Sequence, residues 1–166
     1  MKRETKIERH VLTVLVDNEF GVLARVIGLF SGSGYNIESL TVAEVDEEKN
    51  LSRITIVTSG VPTIIEQIKA LLLRLVPVYE VQDLTVEGNV VERELALVRV
   101  ESKGAKRLEA MRMAESFEAI VVDATPTAIV FEMTGSPDKL DSFIKLMKPL
   151  GLTELNRTGV TAMLRG

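Results

Sequence analysis

The hydrophobic positions along the chain follow strand-like and helix-like patterns in turn, and the same series of patterns occurs twice. Val11 to Val16 is almost entirely apolar and rich in valine, which predicts a central strand that is buried on both faces. The next apolar positions have the spacing of one helix face, and this pattern stops at the glycine-rich stretch Gly32 to Gly34. Its members are Val22, Leu23, Val26, Ile27 and Phe30. A strand followed by an amphipathic helix is therefore predicted at the start of the first copy.

A hairpin and a second helix continue the first copy. Ile37 to Val45 and Leu51 to Thr58 are strand-like, and the acidic turn DEEKN between them indicates a hairpin. Pro62 is suited to the first turn of a helix, in which Thr63 and Glu66 have the spacing of a capping box. The apolar stripe of this helix consists of Ile64, Ile65, Ile68, Leu71, Leu72 and Leu75.

A polar break at Glu87 to Asn89 follows the predicted fourth strand, Val78 to Val86. We place a domain boundary at this break, which gives two domains, residues 1–86 and residues 87–166. The last helix of the second copy is predicted to start at Ser136, which would cap it. The other elements of that copy are strands at Glu94 to Val100, Ile120 to Ala124, Ala128 to Met133, Leu152 to Leu155 and Val160 to Leu164, and a helix at Ala105 to Phe117.

The order of elements in each copy is β-α-β-β-α-β. This order places two helices on one face of a four-stranded antiparallel sheet. We therefore predict an α+β protein with two ferredoxin-like domains in tandem. Each unit of about 80 residues buries only a small core and leaves one sheet face partly apolar, so we expect the chain to pair with a second copy.

The composition excludes much of enzyme chemistry. The chain has no Cys and one His, so a disulfide framework, a thiolate metal site and a Cys/His zinc cluster are excluded, and no metal site is expected. It also contains no nucleophile elbow, P-loop or zincin motif. His10, at the entry of the first strand, is expected to be structural. We therefore expect no catalytic residues.

The sequence also argues against a nucleic-acid or membrane partner. The 20 Lys and Arg against 24 Asp and Glu give a net charge of −4, and aromatic residues make up only 4% of the chain. The third strand, where RNA-recognition domains carry their stacking aromatics, has none here and a single cation, Arg53. The apolar run Ile68 to Tyr79 contains charges and a proline and is too short to span a membrane. The charged N-terminal segment MKRETKIERH has no apolar core of a signal peptide, so the expected location is the cytoplasm.

The junction between the first strand and the first helix has the chemistry of an amino-acid site. A helix N-terminus has backbone N–H groups without partners and a partial positive charge, which suits a carboxylate. Gly21 has no side chain to obstruct the approach, and Asn18 has both an acceptor and donors, which suits it to hold an ammonium group or to fix the loop. The alternative is that Asp17 and Asn18 only cap the helix, and the spacing alone favours this alternative.

Two adjoining stretches carry a family resemblance. NEFGVLARVIGLF, from Asn18 to Phe30, and GYNIESLTV, from Gly34 to Val42, resemble the regulatory (small) subunit of acetohydroxyacid synthase, also called acetolactate synthase. The N-terminal half, residues 1–86, resembles an ACT domain, the ferredoxin-like module that senses amino acids. The resemblance continues through Leu51 to Arg53, Glu92 to Leu95, Asp123 to Pro126 and Arg157 to Val160.

This resemblance implies a regulatory, non-catalytic subunit. Its partner would be the large catalytic subunit, which carries thiamine diphosphate, Mg²⁺ and FAD and catalyses the first committed step of branched-chain amino-acid synthesis. This chain would hold no cofactor itself. It would raise the activity of the large subunit and confer feedback inhibition, usually by valine, with leucine and isoleucine left open as effectors.

The resemblance also implies where the effector binds. In the family it lies between the ACT domains of a homodimer, in contact with the loop that opens the first helix of one chain and the start of the second strand of the other. The matching loop positions are Asn18, Gly21, Val22 and Leu23, and the matching strand positions are Asn36 and Ile37. Phe20 and Val22 are bulkier than the Ser and Ala often found there, which leaves the effector preference open.

Two other functions remain as alternatives. One is an amino-acid-binding module that stands alone or regulates another metabolic enzyme, which co-purification with a thiamine-dependent partner would distinguish. The other is an acylphosphatase-like enzyme on the same fold, which needs an arginine in an anion-binding loop. Arg25 falls within the predicted helix, so this alternative ranks last.

Overall fold

The computed structural model describes residues 6–166, apart from the side chain of Ser33. Residues 1–5, in the charged N-terminal segment, lie outside the described residues. The chain divides into two compact units, one of Met1–Val91 with Ala162–Gly166 and one of Glu92–Thr161. Each unit contains an antiparallel sheet with helices, so the predicted fold class is confirmed.

The first unit has the predicted element order. Its strands and helices are β1 (Glu8–Asp17), α1 (Val22–Ser33), β2 (Ser39–Asp46), β3 (Leu51–Gly60), α2 (Pro62–Leu73), β4 (Val78–Asp83) and the short helix α3 (Leu84–Glu87). The order of strands in its sheet is β2-β3-β1-β4, and every neighbouring pair is antiparallel. Strand β2 is therefore one edge of this sheet and β4 is the other.

The second unit repeats this arrangement. Its elements are β5 (Val90–Glu101), α4 (Gly104–Ser116), β6 (Ile120–Ala124), β7 (Ala128–Gly135), α5 (Pro137–Met147), a 3-10 turn (Lys148–Leu150) and β8 (Leu152–Arg157). The strand order is β6-β7-β5-β8. The last strand of the chain, β9 (Thr161–Leu164), lies in the first unit except for its first residue. Ser136 caps α5 as predicted, because its Oγ accepts a hydrogen bond from the Lys139 N–H at 3.3 Å.

The core of the first unit lies between its sheet and the two long helices. Alternate residues of β1 face this core, and burying each large apolar side chain contributes about 1.5 to 3 kcal/mol. The buried members of the core are Leu12, Val14, Val16, Val22, Val26, Phe30, Ile54, Ile56, Ile65, Ile68 and Leu72. Val11 and Thr13, on the other face of β1, are also buried, at 1% and 5% exposure. The prediction that this strand is buried on both faces is therefore confirmed.

Two local predictions in this unit are wrong. The N-cap of α2 is Val61, whose carbonyl accepts from the N–H groups of Ile64 and Ile65, so Thr63 lies inside the helix and forms no capping box. The fourth strand ends at Asp83 rather than Val86. The chain turns there into α3, which buries Leu84 and lets the hydroxyl of Thr85 accept from the N–H of Val11 at 2.9 Å.

The stability of the second unit is expected to depend on Gly151. Its φ of +108° lies in the left-handed region, and a Cβ there would lie 2.2 Å from the carbonyl oxygen of Glu101. Gly151→Ala is therefore expected to lower the free energy of unfolding by about 3 kcal/mol or more. Urea denaturation followed by circular dichroism measures this change.

Gly28→Ala is the matched control, because Gly28 lies in α1 and a Cβ there would meet nothing within 4 Å. This variant is expected to gain up to about 1 kcal/mol from its higher helix propensity. If both variants unfold at the midpoint of the parent protein, the proposed backbone clash at Gly151 is wrong.

Candidate functional site

The loop between β1 and α1 presents an open helix N-terminus. The N-cap residue is Gly21, with a φ of +84° that favours glycine, and a Cβ there would meet nothing within 4 Å. No side-chain hydrogen bond caps α1 within residues 6–166. The first N–H groups of a helix have no partner inside the helix, and that of Val22 has only a long contact of 3.4 Å with the Glu19 carbonyl. This end of α1 can therefore donate hydrogen bonds to a small anion.

The polar residues before Gly21 bind the sheet instead of the helix. The Oδ1 of Asn18 accepts from the hydroxyl of Ser52 at 2.9 Å, and its N–H donates to the Asn50 carbonyl at 2.8 Å. The Oδ1 of Asp17 accepts from the hydroxyl of Tyr79 at 2.7 Å. The capping alternative is therefore wrong, and these contacts hold the loop so that the helix end stays open.

The side chains that follow Gly21 contribute to the fold. Val22 is 4% exposed and belongs to the core, and Leu23 is partly buried against it. The backbone N–H groups of these two residues are available to a ligand at the helix end. Phe20 is fully exposed. The bulk of Val22 is thus directed away from the loop, and Phe20 is the bulky side chain on the solvent side.

The second group of predicted residues lies between α1 and β2. The helix ends at Gly34, which has a φ of +73°, and the carbonyl of Asn36 accepts from the hydroxyl of Thr58 at 2.6 Å. The N–H of Glu38 donates to the Val57 carbonyl at 2.8 Å. These contacts fix the segment while Asn36 stays exposed and Ile37 stays partly buried.

The two groups lie at opposite ends of the sheet in one chain. Strand β1 pairs Asp17 with Leu51 at the end that leads to Gly21, whereas Thr58, which binds Asn36, pairs with His10 near the other end. The seven-residue separation along β3 corresponds to roughly 23 Å at about 3.3 Å per residue. A single first unit therefore does not bring Gly21 and Asn36 together.

His10 lies in a buried polar cluster outside this loop. Its Nδ1 is 2.8 Å from the Oδ2 of Asp83, and its Nε2 is 3.3 Å from the Oε2 of Glu8. The Nζ of Lys69 is 3.6 Å from the same Asp83 oxygen and 2.5 Å from Glu66. The hydrogen bond to Glu66 raises the pKa of Lys69 above its ordinary value. The structural role expected for His10 agrees with these contacts.

Sequence reasoning missed the residues that support the loop. Ser52, Asn50 and Tyr79 are 29 or more positions away from Gly21, and only the register of β1 with β3 and β4 brings them to it. The stretch Leu51 to Arg53, which contains Ser52, was the one available signal.

Within the described residues, no group of three or more His, Asp or Glu side chains is arranged to hold a metal ion. Nor is any helix in residues 6–166 long and apolar enough to cross a membrane.

The βαββαβ order and the antiparallel sheet place the first unit in the ACT class of domains. Residues 12–80 match a family model described as "AHAS small subunit-like ACT domain". Residues 93–166 match a second model, described as "Small subunit of acetolactate synthase". The chain belongs to the family of acetolactate synthase small subunits.

Individual relatives support the same conclusion over almost the whole chain. The acetolactate synthase small subunit of Aquifex aeolicus is 44% identical over 98% of this chain and 84% of its own length. The isozyme 3 small subunit of Salmonella typhimurium is 45% identical, over 95% of this chain and 96% of its own. The crystal structure of the small subunit from Thermotoga maritima has a TM-score of 0.86 and 36% identity, covering 96% of this chain and 98% of that one. The family predicted from the sequence is confirmed.

The hydrogen bond between Tyr79 and Asp17 gives a test of the loop geometry. This bond to Asp17 raises the pKa of the exposed Tyr79 hydroxyl, and the nearby negative charge adds to the effect. Asp17→Asn removes that charge, so the pKa of Tyr79 is expected to fall. A spectrophotometric titration of tyrosinate absorbance measures it, since Tyr35 is the only other tyrosine.

Tyr35→Phe serves as the control, because the Tyr35 hydroxyl donates to Gln67 and has no contact with Asp17. In this variant the tyrosinate titration of Tyr79 should keep its raised pKa, and the signal of Tyr35 should be absent. If the pKa of Tyr79 is the same in Asp17→Asn as in the parent protein, Tyr79 does not bind Asp17 in solution.

Proposed function

We propose that this chain is the regulatory, non-catalytic subunit of acetolactate synthase, which activates the large catalytic subunit and makes it sensitive to valine. Membership of the small-subunit family supports the enzyme and the partner. The open N-terminus of α1 at Gly21 is the observation that carries the sensing function. Thiamine diphosphate, Mg²⁺ and FAD would belong to the large subunit, and this chain would hold none of them.

The chemistry of the loop fits an amino-acid zwitterion. Free N–H groups of the first turn of α1 would bind the carboxylate, aided by the helix dipole. Asp17 and Glu19 are acidic residues beside the helix end and favour a positive ammonium group. Ile37 would supply an apolar wall for a branched side chain.

Two copies of the chain would complete each site. Strand β2 is an edge of the sheet, and its exposed positions include Val42 and Val45, at 44% and 49% exposure. An unpaired edge with apolar side chains is a template for pairing with another strand. If two β2 strands pair in antiparallel fashion, the start of one lies beside the end of the other, so Asn36 of one copy moves to the end of the sheet where Gly21 of its partner lies.

Regulation would follow from linkage between two binding events. An effector changes the activity of the large subunit only if it binds the active and inhibited assemblies with different affinities. A coupling of about 1 to 3 kcal/mol corresponds to a roughly 5- to 150-fold effect. Because the proposed site lies between two copies, effector binding would tighten that interface first.

Gly21→Asp and Gly21→Asn are a matched pair that tests the carboxylate site. Asn and Asp tolerate a positive φ better than most residues, and the two side chains have nearly the same size. Two like charges about 4 Å apart repel by about 4 kcal/mol at an effective dielectric of 20. With Gly21→Asp we therefore expect the valine concentration for half inhibition to rise more than tenfold, and a smaller rise with Gly21→Asn.

The measurement is the activity of the large subunit reconstituted with each variant, with and without valine, leucine or isoleucine. Activation without effector should be retained in both variants. If valine inhibits the large subunit equally with the variants and with the parent chain, the site is wrong. If the parent chain does not activate the large subunit, the proposed function is wrong.

Mixed dimers test whether each site is shared between two chains. Gly21→Asp and Asn36→Ala homodimers should both bind valine weakly, because both of their sites are altered. In a mixed dimer of the two variants, one site carries both substitutions and the other carries neither. Calorimetry on the purified mixed dimer should therefore show parental affinity at half of the sites. If both residues served the same site within one chain, no site of the mixed dimer would have parental affinity.

A further inference from the structure

A second polar cluster lies on the sheet face of the first unit that points away from α1 and α2. Thr13 in β1 pairs with Gln82 in β4, and one row further along the face Leu15 pairs with Arg53 in β3. Residues that pair directly across antiparallel strands share a face. The alternate positions of β1 face the helix-side core: Leu12, Val14 and Val16. Thr13, Gln82 and Arg53 therefore lie together on the opposite face.

These three side chains line an open cavity of about 200 Å³. At the roughly 30 Å³ that one water molecule takes in the liquid, this volume holds about six or seven non-hydrogen atoms. The remaining walls are apolar and come from Leu84, Ala162, Met163 and Leu164. The cavity thus combines a guanidinium, a hydroxyl and an amide with aliphatic walls.

The polar groups of the cavity are unsatisfied within the chain. Across the part of the chain that the structure describes, the side chains of Thr13, Gln82 and Arg53 have no hydrogen-bond or ion-pair partner. Thr13 is only 5% exposed, and most buried side-chain hydroxyls in proteins have a hydrogen-bond partner. Three acids lie on the same face: Glu80, which pairs with Leu15, and Asp17 and Asp46, which both pair with Leu51 in the row next to Arg53. In the described residues none of them forms an ion pair with Arg53; Asp17 accepts from the Tyr79 hydroxyl and Asp46 from the Lys49 N–H.

We propose that this cavity binds a small monocarboxylate with a short aliphatic chain, at a site separate from the Gly21 loop. The planar guanidinium of Arg53 binds both carboxylate oxygens, as this group does with carboxylates elsewhere. Thr13 and Gln82 supply further hydrogen bonds to the acid, and Leu84 and Met163 contact its aliphatic part. One chain provides all of these groups, whereas the proposed valine site needs two.

The test is a nuclear magnetic resonance titration of the full chain with isobutyrate, a branched acid of six non-hydrogen atoms. Gly21→Asp is used as the background, so that the loop of the proposed effector site does not contribute. We expect saturable shifts of the backbone amide signals of Gln82 and Leu84, and none with isobutyramide, the neutral analogue. Arg53→Gln should weaken isobutyrate binding at least tenfold, and Thr13→Val should weaken it without changing the shape of the cavity.

Arg93→Gln is the control, because Arg93 is an exposed arginine whose side chain donates only to the Glu92 carbonyl next to it. Its isobutyrate affinity should equal that of the background chain. Shifts that do not saturate, an equal response to isobutyramide, or unchanged affinity in Arg53→Gln would overturn the proposal. So would an Arg53→Gln variant whose only defect is weaker association with the large subunit, since the guanidinium would then serve a protein partner.

Discussion

The antiparallel ladder between β1 and β3 determines what a single chain can build. Its ten paired residues run from Glu8 opposite Gly60 to Asp17 opposite Leu51. One end of this ladder leads directly into the loop before α1, and the other end holds the segment that enters β2. Because β-strands are stiff at this length, the two halves of the proposed amino-acid site stay roughly 23 Å apart in one chain. A site built from both of these halves would therefore need a second copy of the chain.

The same ladder keeps the helix end open. It brings Ser52 to the side chain of Asn18, and Tyr79 in the neighbouring strand β4 donates a hydrogen bond to Asp17. The residues that could have capped α1 are thereby engaged elsewhere, and the turn into the helix is left to Gly21. An unsatisfied helix terminus is costly to a monomer but gives a binding site its specificity for an anion.

Local patterns predicted most of the fold, and long-range contacts explain where they failed. The apolar runs of β1 and the stripe of α1 are periodic over many residues, so they identified both elements and the repeat. The capping box at Thr63 failed because Val61 is the N-cap of α2, and the strand to Val86 failed because the chain turns into α3 at Leu84. The spacing around Asn18 favoured a cap, since no local signal shows that Ser52, 34 positions away, binds its side chain. The family resemblance, which depends on long stretches of matching residues, favoured an amino-acid site at this loop instead.

The most direct test of a shared site is the distance between its two halves in different chains. The chain has no cysteine, so Glu19→Cys and Asn36→Cys each introduce a single thiol. In a mixture of the two variants with valine, a short bifunctional thiol reagent is predicted to join one variant to the other as a covalent dimer, and to join neither variant to itself. Absence of the mixed covalent dimer, while the protein remains dimeric, would contradict a sensing site built from two copies.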